Sequence, residues 1–381
     1  MIDTAARPVF DEELNLFRDQ VRKFYDKALW PNLDRWEKDG IIDRQFWLAC
    51  GEAGILCPTV APEYGGLGLD FRYNAVISEE LFYAGSSAGI TLQSDIVADY
   101  IENYGSEEQK LEWLPKMVSG QAITAIAMTE PGTGSDLQAV RTTALRDGNE
   151  YVVNGSKTYI TNGQNADLII VVAKTDPAAG GKGISLILVE ATRDGFKRGR
   201  NLDKIGQHSA DTSELFFEDV SLPTENLLGP EEGQGFVQLM KELPQERMLV
   251  AVHATAMMER ALALTVDYVK QRTAFGKKII EFQNSQFELA ACKTEATIAK
   301  AFCDQCLERL IKGELDTVTA SMAKYWTTDT LGKVVDRCLQ LFGGYGYMDE
   351  YPISRLYRDA RVMRIYAGTN EIMKLLIARS L

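Results

Sequence analysis

Histidine and cysteine are scarce: 381 residues hold two histidines, His208 and His253, and six cysteines, at 50, 57, 292, 303, 306 and 338. Two histidines leave no room for an ordinary His-based zinc site, and sparse cysteine fits a reducing compartment. Cys303 and Cys306 form a lone C-x-x-C within AKAFCDQCLERLIKG, which reads as helix interior. It lacks both a second ligand pair and a preceding strand, so no metal is expected. No apolar run approaches the roughly 18 residues of a membrane span. The stretch MIDTAARPVFDEELN has neither a signal-peptide core nor an Arg-rich transit character, so a cytoplasmic location is expected. Positive charge is in deficit, with 41 Lys and Arg against 54 Asp and Glu, and a net charge of -13 argues against nucleic acid or anionic membrane as partner.

Nucleotide fingerprints are missing too. Gly132-Thr133-Gly134 and Gly344-Tyr345-Gly346 both lack the third glycine of G-x-G-x-x-G, and there is no Walker A string, which excludes the usual nicotinamide and ATP folds. Gly85-Ser86-Ser87-Ala88-Gly89 matches the hydrolase G-x-S-x-G, but EELFYA before it reads as helix, so a helix-ending turn is expected.

What is present is an ordinary globular mix, 45% hydrophobic and 25% charged, long enough for two or three domains. Leu14, Phe17, Val21, Phe24, Tyr25 and Leu29 recur near a 3.6 period and predict a helix over 11–36, with more at 43–53, 71–87, 89–103 and 106–118. Short β-rich runs follow at 121–127, 150–153, 156–160, 167–173, 183–190 and 213–220, and Asn154-Gly155 predicts a hairpin between two of them. Helix returns over 235–270, 284–312, 316–342 and 368–379. The expected fold is therefore mixed α and β: an N-terminal helical domain (1–120), an antiparallel β sandwich or barrel (121–233) and a C-terminal helical domain (234–381).

Three segments carry a more specific signal. AMTEPGTGSD, 127–136, is a strand entering a Gly/Pro turn whose backbone N–H groups could face a ligand. It resembles the first signature of the acyl-CoA dehydrogenase family. QLFGGYGYMDEYPISRLYRD, 340–359, resembles the second, and YITNG (159–163), QRTAFGK (271–277) and YAGTNEI (366–372) also match. Within the family, GSEEQ (105–109), LFFED (215–219), ELPQER (242–247) and MAKYW (322–326) resemble the long-chain enzymes most, with the isovaleryl enzymes next.

The resemblance implies a C-terminal four-helix bundle, FAD as cofactor, an acyl-CoA substrate, a homotetramer and electron-transferring flavoprotein as redox partner. It places Met128, Thr129, Tyr159 and Thr161 at the flavin ring, Tyr159 standing where most relatives have Trp. Arg272 and Phe275 would reach a neighbouring subunit's FAD, Arg272 at the pyrophosphate. Gln283, Gln340, Gly343 and Gly344 would hold the adenosine side, and Thr369 and Glu371 would close the site. Ser135, Arg247 and Gly368 would contact substrate, and Ala367 would lend a backbone N–H to the thioester oxygen.

The chain departs from the usual pattern at the base. Most relatives read Y-E-G-T, and their Glu abstracts the α proton; this chain reads Tyr366-Ala367-Gly368-Thr369. In long-chain and isovaleryl enzymes the base precedes an Arg on another helix, which points here to Glu246, with Glu242 and Glu371 as the next carboxylates. Two other readings stay open: an acyl-CoA oxidase of the same fold, and a non-catalytic acyl-CoA-binding or assembly protein motivated by Ala367. The run ITLQSDIVADYI, 90–101, is expected to line the far end of the acyl pocket, with Asp95 unlike a long-chain lining. Arg193, Lys197, Arg198, Arg200 and Lys204 form a basic cluster that would meet CoA phosphates or water.

Overall fold

The computed structural model describes residues 7–381; Met1–Ala6, where the stretch read for a targeting signal begins, lie outside them. The N-terminal part is helical: α1 (Glu12–Ala28), α2 (Leu33–Asp39), α3 (Arg44–Glu52), α4 (Phe71–Tyr83), α5 (Ile90–Leu92), α6 (Ala98–Tyr104) and α7 (Glu107–Val118). The Asp11 side chain caps α1 by accepting from the Leu14 N–H at 3.0 Å, and Leu14, Val21 and Tyr25 form its buried stripe. The helix expected over 11–36 is broken, because Pro31 sits in a 3₁₀ turn at Trp30–Asn32 that resets the chain into α2. Gly85-Ser86-Ser87-Ala88-Gly89 is a helix-ending turn, with Gly85 at φ 82° and the Ser86 hydroxyl accepting from the Ala88 N–H. Between α5 and α6, Gln93–Val97 forms a π turn.

The strands are β1 (Thr124–Ala127), β2 (Thr143–Asp147), β3 (Glu150–Thr161), β4 (Leu168–Lys174), β5 (Ile184–Glu190), β6 (Phe196–Asn201) and β7 (Thr212–Pro223). They form one seven-stranded sheet, which corrects two expectations. Asn154-Gly155 is not a hairpin: β3 runs straight through it, with a register shift against β7 there, and the tight turn is Gly148-Asn149 between β2 and β3. Pairing is not purely antiparallel either, since β1 lies parallel to β4. Strand β4 reads LIIVVA because both its faces are covered. Leu168, Ile170 and Val172 join the helical core, while Ile169, Val171 and Ala173 join the sheet's own core.

After the sheet come α8 (Gly235–Gln271), a short hairpin of β8 (Thr273–Ala274) and β9 (Lys277–Lys278), then α9 (Gln283–Ile311), α10 (Thr317–Gln340), α11 (Pro352–Ala360) and α12 (Asn370–Ala378). Helix α11 was not foreseen, since its short apolar face (Ile353, Leu356, Ala360) lies inside a segment read for its motif. Helix α8 is the one element among the described residues long and apolar enough to cross a membrane, but 67% of its most apolar window is buried against α4, α9 and α10. It is a core helix. The C-x-x-C pair Cys303 and Cys306 is buried and unbonded in α9.

Candidate active site

Glu246 lies on α8 and is 5% exposed. Among the described residues one hydrogen bond reaches its carboxylate, from the Tyr100 hydroxyl on α6 to Oε1 at 3.0 Å. Burial pushes its pKa up to about 7, with Glu242 adding to the rise and the Tyr100 hydrogen bond and Arg247 opposing it. A carboxylate near 7 is matched to accepting a proton at neutral pH. Next to it, Arg247 is buried, offers one terminal nitrogen to the Ser321 hydroxyl at 3.4 Å on α10, and leaves its Nε without a partner among the described residues. A buried donor left open is costly unless something occupies it, so this guanidinium is poised for a ligand.

Helix α10 also brings in the turn that carries Ala367. Lys324, fully buried, donates to the Gly368 carbonyl at 2.7 Å and to Asn370 Oδ1 at 3.0 Å. Burial, and then the nearby Arg247, lower Lys324 to about 7. Ala367 is held left-handed at φ 52°, a conformation that costs a non-glycine residue about 1–2 kcal/mol. Its N–H finds no acceptor among the described residues. Arg247, next to Glu246 on α8, and the Ala367–Gly368 turn are therefore both tied to α10, the turn through a lysine absent from the sequence expectations. Thr369 caps α12, accepting from the Ile372 N–H, and Glu371 is exposed in its first turn.

A second group lies at the end of β1. Met128 and Thr129 are half-buried and fixed from beneath by Lys157, which donates to the Met128 carbonyl at 3.0 Å and to Glu130 at 2.9 Å. Burial lowers Lys157 to about 8 against the pull of Glu130. Tyr159, on β3, stands 69% exposed at φ 60°, with Thr161 two residues on. Asn162 ties this strand to the first domain by donating to the Gly89 carbonyl at 3.1 Å, and to β1 by donating to the Thr124 carbonyl at 3.0 Å. A Cβ on Gly89 would fall 1.9 Å from Asn162 Oδ1, which is why glycine ends that turn. Ser135 is exposed on the turn after β1.

A third group lines a cleft of about 560 Å³ at the far end of α8, including Arg272, Gln340, Gly343 and Gly344. A Cβ on either glycine would meet nothing within 4 Å, so backbone faces open space. Arg272 stacks over Tyr345 at 5.4 Å and pairs with no carboxylate among the described residues. Phe275 is 95% exposed at the hairpin between β8 and β9, and Gln283 is exposed at the start of α9. Arg272 lies 26 residues beyond Glu246, roughly 39 Å at the helical rise, so one chain does not bring this cleft to the Glu246 group.

The N-terminal, middle and C-terminal domains of acyl-CoA dehydrogenases match residues 11–121, 125–220 and 233–381. The chain belongs to the acyl-CoA dehydrogenase family. Members of this family are FAD-dependent oxidoreductases. The chain is 49% identical over its full length, and over 89% of the other protein, to the mitochondrial long-chain specific acyl-CoA dehydrogenase of Sus scrofa. A crystal structure of an acyl-CoA dehydrogenase from Geobacillus kaustophilus shares 53% identity at a TM-score of 0.97, covering 98% of this chain and 99% of that one. A glutaryl-CoA dehydrogenase from Mycobacterium smegmatis in complex with FADH2 shares 28% identity at a TM-score of 0.92, covering 99% and 96%.

Judged by this chain's own groups, a flavin dinucleotide fits. Among the described residues, an Arg272 with no carboxylate partner, open glycines, an exposed Tyr159 and an Ala367 N–H with no acceptor are what a pyrophosphate, an adenosine, a ring face and a polarised oxygen would each require. The basic cluster fares differently. Arg193, Lys197 and Arg200 pair with Glu190, Glu218 and Glu214, while Arg198 and Lys204 donate to backbone carbonyls, so these cations are already engaged.

Proposed function

We propose that this acyl-CoA dehydrogenase desaturates an acyl-CoA thioester between its α and β carbons, with Glu246 as the base, and passes electrons to electron-transferring flavoprotein. The observation that carries the reading is a buried carboxylate raised to about 7, next to an arginine tied to the helix that also anchors the Ala367 turn, whose N–H finds no acceptor among the described residues. Glu246 takes the α proton; the C–H bond breaks and its electron pair moves into the thioester carbonyl. The Ala367 N–H is available to hold the negative charge that develops on that oxygen. Bound FAD supplies the acceptor for the β hydride. Arg247, whose buried Nε has no partner among the described residues, would donate to the substrate.

Met128, Thr129, Tyr159 and Thr161 would line the ring, with Thr369 and Glu371 closing the site. Because one chain separates Arg272 from Glu246 so widely, the cleft of Arg272, Gln340, Gly343 and Gly344, with Phe275 and Gln283 at its edge, would serve a neighbouring subunit's FAD. That arrangement requires at least a dimer and suits a homotetramer. An acyl-CoA panel scored by anaerobic bleaching of the flavin tests the reading. Bleaching by saturated acyl-CoA thioesters, with slow reoxidation in air and fast reoxidation by electron-transferring flavoprotein, is expected. Rapid reoxidation by air would make it an oxidase, and no bleaching with any chain length would overturn the enzyme reading.

A further inference from the structure

The helix carrying Tyr100 is set by an irregularity. Residues Gln93–Val97 form a π turn, which takes up one extra residue and rotates everything after it by about 100°. Beyond it, Tyr100 and Tyr104 lie four apart on one face of α6, and Glu242 and Glu246 lie four apart on α8. The two pairs meet in opposite order: the Tyr100 hydroxyl donates to Glu246 at 3.0 Å and the Tyr104 hydroxyl to Glu242 at 2.6 Å. Gln245 completes the seam by donating to the Asp95 carbonyl of the π turn at 3.2 Å and to the Asp99 carboxylate.

We infer that Tyr100 is the positioning residue of the base: its hydroxyl holds Glu246 Oε1 and leaves Oε2 as the atom that receives the substrate proton. The inference rests on Glu246 being the base. Tyr100 is fully buried, so no water competes for its hydroxyl, and its ring is locked beside Tyr104 with centroids 6.2 Å apart. A donor on one oxygen fixes the carboxylate's rotation, so the other oxygen presents one geometry instead of two. The surrounding charges do not substitute for it. Asp99 on α6 and Glu242 on α8 are acidic, Arg247 points to Ser321, and Lys324 on α10 is spent on Gly368 and Asn370. Burial, and then Glu246 itself, hold the Tyr100 phenol well above its ordinary pKa, so it stays a donor throughout turnover.

Tyr100→Phe keeps the ring and removes only the donor. In the FAD-loaded enzyme the acidic limb of the pH profile for flavin reduction should move up by about one pH unit, a tenfold change in proton affinity, with KM changed less than about twofold. In substrate-free protein, the infrared C=O band of protonated Glu246, identified by its loss in Glu246→Gln, should titrate higher by the same amount. Tyr104→Phe, which frees Glu242 instead, should give no upward shift. An unmoved limb together with an unmoved carboxyl band in Tyr100→Phe overturns the inference while leaving Glu246 as base. Normal flavin reduction in Glu246→Gln, with the Tyr100→Phe band still shifted, would instead remove the base assignment and keep the contact.

Discussion

Two glutamates, Glu79 on α4 and Glu246 on α8, are buried almost equally, at 3% and 5% exposure, and behave in opposite ways. Glu79 is met by Arg7 at 2.8 Å, Arg18 at 2.7 Å and Lys300 at 2.8 Å. Burial pushes its pKa up, but Lys300, Arg7 and Arg18 together outweigh burial and hold it well below the ordinary range. Glu246 has one neutral donor, Tyr100, and an acidic neighbour, Glu242, and it rises to about 7. Burial sets the cost of charge in both places; fixed cations decide whether the charge stays. The first arrangement ties α1, α4 and α9 together, and the second leaves a proton acceptor poised at neutral pH.

The comparison breaks most visibly at Glu79. Glu79→Ala removes the anion that three buried cations share, leaving each with one other carboxylate, Asp304 for Arg7, Glu80 for Arg18 and Glu259 for Lys300, and should cost about 3 kcal/mol in denaturant unfolding. Because its folded pKa is depressed, the stability it contributes is present above the unfolded value and is lost as pH falls through the folded one. A loss below about 1 kcal/mol would show that Asp304, Glu80 and Glu259 suffice to hold the cations.

Glu246→Gln should act on turnover and leave the fold intact. Flavin reduction should fall at least about a hundredfold while FAD and acyl-CoA still bind. The linkage sign is opposite to that of Glu79. A folded pKa of about 7 means the folded state keeps a proton the unfolded chain gives up, so stability declines as pH rises across that interval. Glu246→Gln should therefore melt higher than wild type at pH 8 by roughly 2–5 °C, with the gap closing below pH 4. Equal melting at pH 8 would mean that Glu246 ionises at no cost. The smallest effect sharpens the position of the base. Glu246→Gly with Ala367→Glu should regain roughly tenfold over Glu246→Gly alone, held below wild type by the strain of a Glu at φ 52°. No gain would show that position 367 does not aim at the α carbon in this chain.

The π turn marks where local patterning stopped being informative. A 3.6 period predicts one helix over 89–103 but cannot show that its last two turns are rotated toward α8. Lys157 and Lys324 were likewise invisible, since a lysine in a strand or helix reads as solvated until its carbonyl partners, far away in sequence, are known. Asn154-Gly155 misled for the same reason: the pair suits a hairpin, but pairing with β7 on the other side keeps the strand running.

The sequence by itself determined the order of helical and β segments, the family and the identity of Glu246 as a candidate, because periodicity and motif spacing are local properties of the chain. The tertiary structure alone decided that Glu246 meets Tyr100 instead of a cation and that the Ala367 N–H has no acceptor among the described residues. It also decided that Arg272 lies a helix length from the base. Each of those depends on which groups a folded chain brings within about 3 Å, and desolvation and hydrogen bonding at that range set what a carboxylate can do.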